Sequence, residues 1–231
     1  GSLSEKINSP NDLKAMYRLL DCEEVTHEAI MEAHQIYLLK EVLPSREGFA
    51  LVIHDTTEFD YTKKRSLQGL GQIGSGHRRG YLAHNSLVVC PETGNTLGLV
   101  NQALHQRAVV SKAETRKQRQ QRKSCESRLW IEGTRPLPSD RKIVDVCDRG
   151  ADAFPFICHE ARSGRTFLIR SKTNRNCFVG HENQTESAKL HPYARSLPVA
   201  GTWELAVTSK TEMKSPNRKG KKIPVTRTSR T

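Results

Sequence analysis

Residues 50–61 read ALVIHDTTEFDY, four apolar residues followed by a cluster of polar and acidic ones. A short apolar run that contains β-branched residues predicts a buried β-strand. Asp55 lies at the C-terminal mouth of this strand. A carboxylate there is held on a rigid platform at the edge of the core, which is a usual position for a metal ligand or a catalytic acid.

A second stretch, KIVDVCDR at 142–149, repeats this pattern and ends its predicted strand with Asp148. If the two strands are neighbours, the carboxylates of Asp55 and Asp148 converge. Two carboxylates repel each other unless a cation lies between them, and Mg²⁺ is the usual oxygen-binding choice. An alternative stays open for each residue, because aspartate is also common after strands as a turn former or helix cap.

The distribution of charge favours a polyanionic partner. The chain has 231 residues and a net charge of +12, and residues 162–231 hold 15 basic against 4 acidic side chains. Clustered Lys and Arg bind nucleic-acid phosphates with release of counterions, so DNA is the expected partner. A membrane is not expected, because the basic runs lack an apolar helical face and no apolar run reaches spanning length. The six cysteines form no C-x-x-C pair, so we expect no zinc site. We expect Cys90 and Cys147, which lie within apolar strand runs, to be buried thiols in a reducing compartment.

The remaining patterns predict a mixed α/β fold. Helices are expected in residues 1–48, with a helix from Thr26 to about residue 43 that buries a stripe of four side chains, Ile30, Ala33, Ile36 and Tyr37. Residues 49–172 predict a meander of three antiparallel strands and then a strand–helix–strand unit with two parallel strands, the second of them at 166–170. Residues 173–231 are polar and proline-containing, and they predict a partial β-rich insertion with a strand at 201–207.

Two basic segments are candidate DNA contacts. The glycine-rich loop at 63–80 ends with Arg78 and Arg79, which could approach phosphates closely. It lacks the G-K-[S/T] of a nucleotide-binding loop, and an ordinary solvated loop fits the same residues. Residues 111–128 form a basic stretch that is either a DNA-facing arm or a solvated surface segment.

Six motifs follow one another in the order of a known family. They are AMYRLLD at 15–21, LVIHDTT at 51–57, RGYLAH at 79–84, ESRLW at 126–130, CDRGAD at 147–152 and FLIRSK at 167–172. Together they resemble the bacterial cut-and-paste DDE transposases of the Tn-five and IS-four group. The resemblance spans roughly residues 12–230 and implies a ribonuclease H-like catalytic core.

This resemblance implies a function and a set of site residues. Asp55 and Asp148 would be the first two acids of a catalytic triad that uses Mg²⁺, with Mn²⁺ as a substitute. Arg149, Arg170 and Lys172 would lie near DNA. The full protein would cleave phosphodiester bonds at transposon ends and transfer the strand to target double-stranded DNA. It would act as a homodimer in a synaptic complex in the bacterial cytoplasm, associated with the nucleoid.

The third acid of the family is a glutamate on a later helix, and neither Glu160 nor Glu182 stands in the matching context. We therefore expect it beyond Thr231, and we expect this chain by itself to be inactive. Three alternatives stay open. They are another ribonuclease H-like nuclease such as a resolvase, a non-catalytic basic DNA-binding module in which both aspartates are caps, and, more remotely, a small-molecule phosphotransferase.

Overall fold

The fold is built on one mixed β-sheet, seen in a computed structural model that describes residues 3–107, 113–115, 118, 125–180, 186–201, 212–213 and 224–225. The chain divides into two compact units, Gly1–Thr173 and Asn174–Thr231. The strands of the first unit are β1 Ala50–Asp60, β2 Gly71–Gln72, β3 Arg79–Val89, β4 Thr96–His105, β5 Ile143–Cys147 and β6 Thr166–Ile169. Its helices are α1 Leu3–Lys6, α2 Pro10–Leu20, α3 His27–Tyr37, α4 Leu129–Thr134 and α5 Phe154–Ser163.

The strand order is β2-β3-β1-β5-β6, and β4 also pairs with β3. The pairs β1–β3 and β3–β4 are antiparallel, whereas β1–β5 and β5–β6 are parallel. The predicted meander and the predicted parallel strand–helix–strand unit are therefore confirmed. Gly164 ends α5 in the left-handed conformation at φ 77°, which glycine adopts without steric cost, and the chain then enters β6.

One face of the sheet carries the hydrophobic core. Val52 on β1, Val88 on β3 and Ile143 on β5 are buried there against Leu38, which follows α3. Farther along the same face, a second cluster joins α4 and α5 to β5 through Trp130, Cys147, Ala151 and Phe156. This face holds the sheet and its helices together, because apolar area removed from water is the main favourable term in folding.

The opposite face of β1 is more exposed, so the strand is buried on one side only. Ile53 is 39% exposed and Leu51 is half-buried, and Leu168 on β6 is 64% exposed. Asp55 belongs to this second face, because successive residues of a strand point to opposite sides. We call this second face of the sheet the open face.

The N-terminal helices begin as the sequence predicts, but α3 buries a different side. Thr26 caps α3, and its side chain accepts a hydrogen bond from the N–H of Ala29 at 3.1 Å. The prediction that Ile30, Ala33, Ile36 and Tyr37 point inward is wrong, since all four are exposed.

Edge strand β4 decides which side of α3 faces the sheet. His34 accepts a hydrogen bond from the backbone N–H of Leu99 at 2.9 Å, and Met31 and Leu38 are buried. The packing side of the helix is therefore set by a backbone donor of β4, not by the apolar stripe with the largest side chains.

The second unit contains two short antiparallel pairs and one helix. The strands are β7 Asn176–Val179 with β8 Glu186–Lys189, and β9 Glu212–Met213 with β10 Pro224–Val225, and the helix is α6 Leu190–Ser196. The predicted strand at 201–207 lies outside the described residues except for residue 201, as does most of the basic segment at 111–128. Across the described part of the chain, no helix has the length and apolar character needed to cross a membrane.

Candidate catalytic site

Asp55 and Asp148 occupy matching positions on two neighbouring parallel strands. The register pairs His54 of β1 with Cys147, the last residue of β5. Asp55 directly follows His54, and Asp148 directly follows Cys147. Matching positions on adjacent strands share a face, and the strands lie about 4.8 Å apart. Both aspartates are exposed. The expectation that their strands are neighbours is confirmed. The expectation that Asp55 lies at the C-terminal end of its strand is wrong, because β1 pairs with β3 as far as Asp60. We call Asp55 and Asp148 the acid pair.

The chain turns sharply after Asp148, and the turn fixes this side chain. Asp148 caps the short 3-10 turn Arg149–Ala151 and accepts a hydrogen bond from the N–H of Gly150 at 2.7 Å. A Cβ atom at position 150 would lie 2.8 Å from the ring of Trp130, so only glycine allows this close approach. The cap uses Oδ1 of Asp148, and Oδ2 is the oxygen through which it can bind a cation.

A row of polar side chains crosses the open face at the level of the acid pair. Asn85 on β3 lies directly opposite Asp55, and Gln102 on β4 lies opposite Asn85. On the other side, the N–H of Arg170 donates to the carbonyl of Cys147 at 3.0 Å, which places Arg170 level with Asp148. We call this set the polar row: Gln102, Asn85, Asp55, Asp148 and Arg170.

Asp152 holds the loop after β6 beside the turn that follows Asp148. Its Oδ2 accepts hydrogen bonds from the backbone N–H groups of Lys172 and Thr173, both at 2.7 Å. The loop that carries Arg170 and Lys172 is therefore tied to the same 3-10 turn region as the acid pair. This pair of hydrogen bonds is the structural role of Asp152, the last aspartate of the CDRGAD motif.

The five residues predicted to contact DNA fall into two groups. Arg149 follows Asp148 directly, and Arg170 and Lys172 lie on the loop tied by Asp152, so the backbone of all three exposed residues is close to the turn after Asp148. Arg78 and Arg79 lie beyond the far end of the β1–β3 ladder, about six to seven residues or roughly 20–24 Å along the strand direction from Asp55.

Arg78 is held by two carboxylates in the structure. Its Nε donates to Asp60 at 3.0 Å and its Nη1 to Glu58 at 3.4 Å, while Glu58 also accepts from the N–H of Gly74 at 2.7 Å. Hydrogen bonds from Thr62, together with the Arg78 contact, lower the pKa of Asp60 to about 2. These contacts fasten the glycine-rich loop to β1 and neutralise the Arg78 guanidinium locally.

A buried ionic network lies beneath β5, on the core face of the sheet. Asp145 accepts from His54 Nε2 at 2.8 Å and from Arg165 Nε at 2.6 Å, and Arg165 Nη2 reaches the Glu160 carboxylate at 3.1 Å. The side chains of His54, Asp145 and Glu160 have no exposed area. We call these four residues, His54, Asp145, Glu160 and Arg165, the buried network.

Burial and neighbouring charges shift the pKa values of the two carboxylates of this network in opposite directions. Burial opposes ionisation of Asp145, but hydrogen bonds from His54 and Arg165 outweigh it and hold the pKa of Asp145 below its usual value. Burial, and then repulsion from Asp145, raise the pKa of Glu160 to about 7. The network thus retains one ionised carboxylate beside Arg165, and the second carboxylate titrates near neutrality.

Ser86, His54 and Asp145 form a line of contacts that superficially resembles the catalytic triad of a hydrolase. The hydroxyl of Ser86 lies 3.0 Å from His54 Nδ1 and donates to the carbonyl of Gly133 at 3.0 Å. However, Ser86 is fully buried, so a substrate cannot reach its hydroxyl. A catalytic serine needs an exposed hydroxyl beside its base. This cluster therefore stabilises the sheet and has no place for a reacting substrate.

A second buried histidine stands next to the network. The Nδ1 atom of His84 lies 2.9 Å from the hydroxyl of Thr56, and its ring meets Trp130 edge-on with the centroids 4.7 Å apart. Burial, reinforced by the nearby His54, lowers the pKa of His84 to about 4. His84 is therefore neutral in the folded protein at neutral pH.

The acid pair fits a hard divalent cation in the chemistry of its ligands. Two carboxylates held by the central strands of a rigid sheet supply the oxygen donors that Mg²⁺ prefers. Within the described ranges, no group of three or more His, Cys, Asp or Glu side chains is arranged to hold a metal ion, so no third carboxylate joins the pair there. Glu160 in particular belongs to the buried network, on the other face of the sheet. The sequence matches no model of a known protein family.

Sequence reasoning overlooked the buried network, Asn85 and Gln102. One signal was available for the network, because Asp145 stands in the middle of the apolar run of β5, where a lone carboxylate would be costly. Asn85 and Gln102 have no such local signal. Their place in the polar row follows only from the register of β3 with β1 and β4.

Proposed function

We propose that this chain is the catalytic part of a DDE DNA transposase with a ribonuclease H-like fold. It would cleave phosphodiester bonds at transposon ends and transfer the freed strand to target double-stranded DNA. The observation that carries the proposal is the acid pair: Asp55 and Asp148 directly follow His54 and Cys147, the last residues that pair between the parallel strands β1 and β5. Three antiparallel strands joined to two parallel ones are the arrangement that the resemblance implies.

The residues around the acid pair support this chemistry. Asp55 and Asp148 would hold Mg²⁺, or Mn²⁺ in its place. When bound, the metal activates the attacking oxygen and stabilises the leaving oxygen of an in-line displacement. Arg170 stands beside Asp148 in the polar row, and Arg149 and Lys172 lie nearby, where guanidinium and ammonium groups can bind the phosphates on either side of the reacting one.

The acid pair is tested by the affinity of the chain for Mn²⁺, measured by electron paramagnetic resonance. We expect Asp55→Asn and Asp148→Asn each to weaken binding at least about 10-fold, because even outer-shell partners of metal ligands contribute that much. Asp140→Asn is the matched control. Asp140 also caps a turn, at the other end of β5, through the N–H of Lys142 at 2.9 Å, and its loss should leave Mn²⁺ affinity unchanged.

A second candidate is a non-catalytic DNA-binding module, which the cap from Asp148 to the N–H of Gly150 favours. In that case wild type and all three variants would show the same weak Mn²⁺ binding. A resolvase-like nuclease is distinguished by a joining assay with a 3′-hydroxyl DNA end and a target duplex, because it cuts without strand transfer. Cleavage by this chain alone is expected to be weak, since no third carboxylate joins the acid pair among the described residues.

The proposed DNA contacts predict a specific dependence on salt. We expect Arg170→Gln and Lys172→Gln each to reduce the slope of log affinity against log salt concentration by about 1, as for loss of one phosphate contact. Arg78→Gln is the matched control, because Glu58 and Asp60 already hold this guanidinium. Fluorescence anisotropy with a short duplex measures the slope. An equal effect at Arg78 would contradict the assignment of the binding surface to the loop tied by Asp152.

A further inference from the structure

Asp55 stands in the middle of the polar row, and its neighbour on β3 is an amide. Asn85 is directly opposite Asp55 in the antiparallel register, so the Cβ atoms of the two residues are about 4.5–5.5 Å apart. Asn85 is half-buried, whereas Asp55 is exposed. A partly immobilised amide therefore lies beside an exposed carboxylate whose orientation matters for binding a cation.

A chain of hydrogen bonds fixes the orientation of this amide. Gln102 Nε2 donates to Asn85 Oδ1 at 2.7 Å, and His27 Nε2 lies 3.1 Å from Gln102 Oε1. Since Oε1 is an acceptor only, His27 is the donor of that contact. Asn85 therefore turns its oxygen toward β4. Its Nδ2 donates to the carbonyl of Ala83 at 3.3 Å and has a second N–H for the side of β1.

We propose that Asn85 is a positioning residue for Asp55. Its Nδ2 group donates to the oxygen of the Asp55 carboxylate that does not bind the cation, and Gln102 and His27 hold the amide in that orientation. This inference rests on the proposed function, because it assigns the acid pair to a divalent cation. It also connects His27, at the start of α3, to the acid pair through Gln102 and Asn85.

The physical reason is the freedom of an exposed carboxylate. An aspartate that binds a metal through one oxygen can rotate to alternative geometries unless its other oxygen is also held. Residues that hydrogen-bond to metal ligands typically contribute 10–100-fold to metal affinity. Asn85 can make this contact only through its Nδ2 group, because a carboxylate that binds a cation accepts hydrogen bonds and does not donate them. The contact from Gln102 holds Oδ1 of Asn85 on the side of β4.

The test compares Mn²⁺ affinity in three variants of nearly unchanged side-chain size. We expect Asn85→Leu to weaken binding about 10–100-fold and Gln102→Leu to weaken it in the same direction by less. Asn101→Leu is the matched control. Asn101 is also a half-buried asparagine with a hydrogen-bonded amide, to the carbonyl of Glu132 at 2.7 Å, but it pairs with Ser86 and faces the core. Its loss should lower the melting temperature and leave Mn²⁺ affinity unchanged.

A second measurement uses the unaltered protein and does not depend on the folding of a variant. Addition of Mg²⁺ should shift the side-chain amide resonance of Asn85 in wild type and leave it in place in Asp55→Asn. An unshifted resonance, together with equal Mn²⁺ affinity of wild type and Asn85→Leu, would overturn the positioning role and leave the metal site intact. Failure of wild type to bind Mn²⁺ would overturn the proposed function itself, and the role of Asn85 with it.

Discussion

Replacement of Arg165 with methionine is expected to lower the free energy of unfolding by about 3–5 kcal/mol, the cost of leaving a buried charge without its partner. Arg165 contacts Asp145 at 2.6 Å and Glu160 at 3.1 Å, and the side chains of both carboxylates have no exposed area. Methionine fills much of the same volume but donates no hydrogen bond. Two buried carboxylates would then face each other with only His54 to compensate.

Chemical denaturation of Arg165→Met and Arg162→Met measures this effect. Arg162 is exposed on the last turn of α5, the helix that carries Glu160, so its replacement should change stability by less than about 0.5 kcal/mol. The double variant Arg165→Met with Glu160→Gln should regain part of the loss, because it removes the carboxylate that was left unpaired. A loss equal to that of Arg162→Met would show that the buried network contributes little to stability.

The contribution of His84 to stability is expected to be lost in mild acid. The pKa of His84 is about 4 in the folded state, against about 6.5 for an exposed histidine. Below pH 6.5, His84 therefore binds a proton in the unfolded chain, whereas in the folded chain it stays neutral until the pH approaches 4. Stability contributed by neutral His84 is complete above pH 6.5 and is lost as the pH falls toward 4. The difference corresponds to about 3 kcal/mol.

Glu160 works in the opposite direction over nearly the same range. Its pKa is raised from 4.5 to about 7, so its contribution is complete below pH 4.5 and is lost as the pH rises through 7. The two titrations partly cancel in wild type and become visible only in variants. As the pH rises from 4.5 to 6.5, we expect the stability of His84→Gln to fall relative to that of wild type, because only the Glu160 contribution remains. Over the same rise in pH we expect the stability of Glu160→Gln to increase relative to that of wild type, because only the His84 contribution remains.

Denaturation at a series of pH values, with the free energy of each variant subtracted from that of wild type, isolates the two contributions. Asn95→Gln, in the exposed turn between β3 and β4, exchanges one uncharged amide for another and is the control, so its difference should not change with pH. A difference for His84→Gln that is also constant with pH would mean that His84 takes up its proton equally in the folded and unfolded states.

Much of the fold could be predicted because its signals are local. The apolar runs at 50–53 and 143–147 are strands, and Thr26 and Gly164 mark a helix start and a helix end. The buried side of α3 could not be predicted in this way. Its apolar stripe is exposed, because the contact that fixes the helix is made by His34 to the backbone of β4, a partner 65 residues away.

The sequence by itself determined two strands, one that carries Asp55 and one that is followed by Asp148, because a strand pattern is recognised within a few positions. It did not determine that β1 continues past Asp55 to Asp60. Only the tertiary structure decided what lies around them. The pairing of β1 with β3 and β5 placed Asn85 beside Asp55, and a contact across 91 residues joined His54 to Asp145 on the other face. The physical reason is that register and side-chain pairing depend on which strands become neighbours, and no local pattern carries that information.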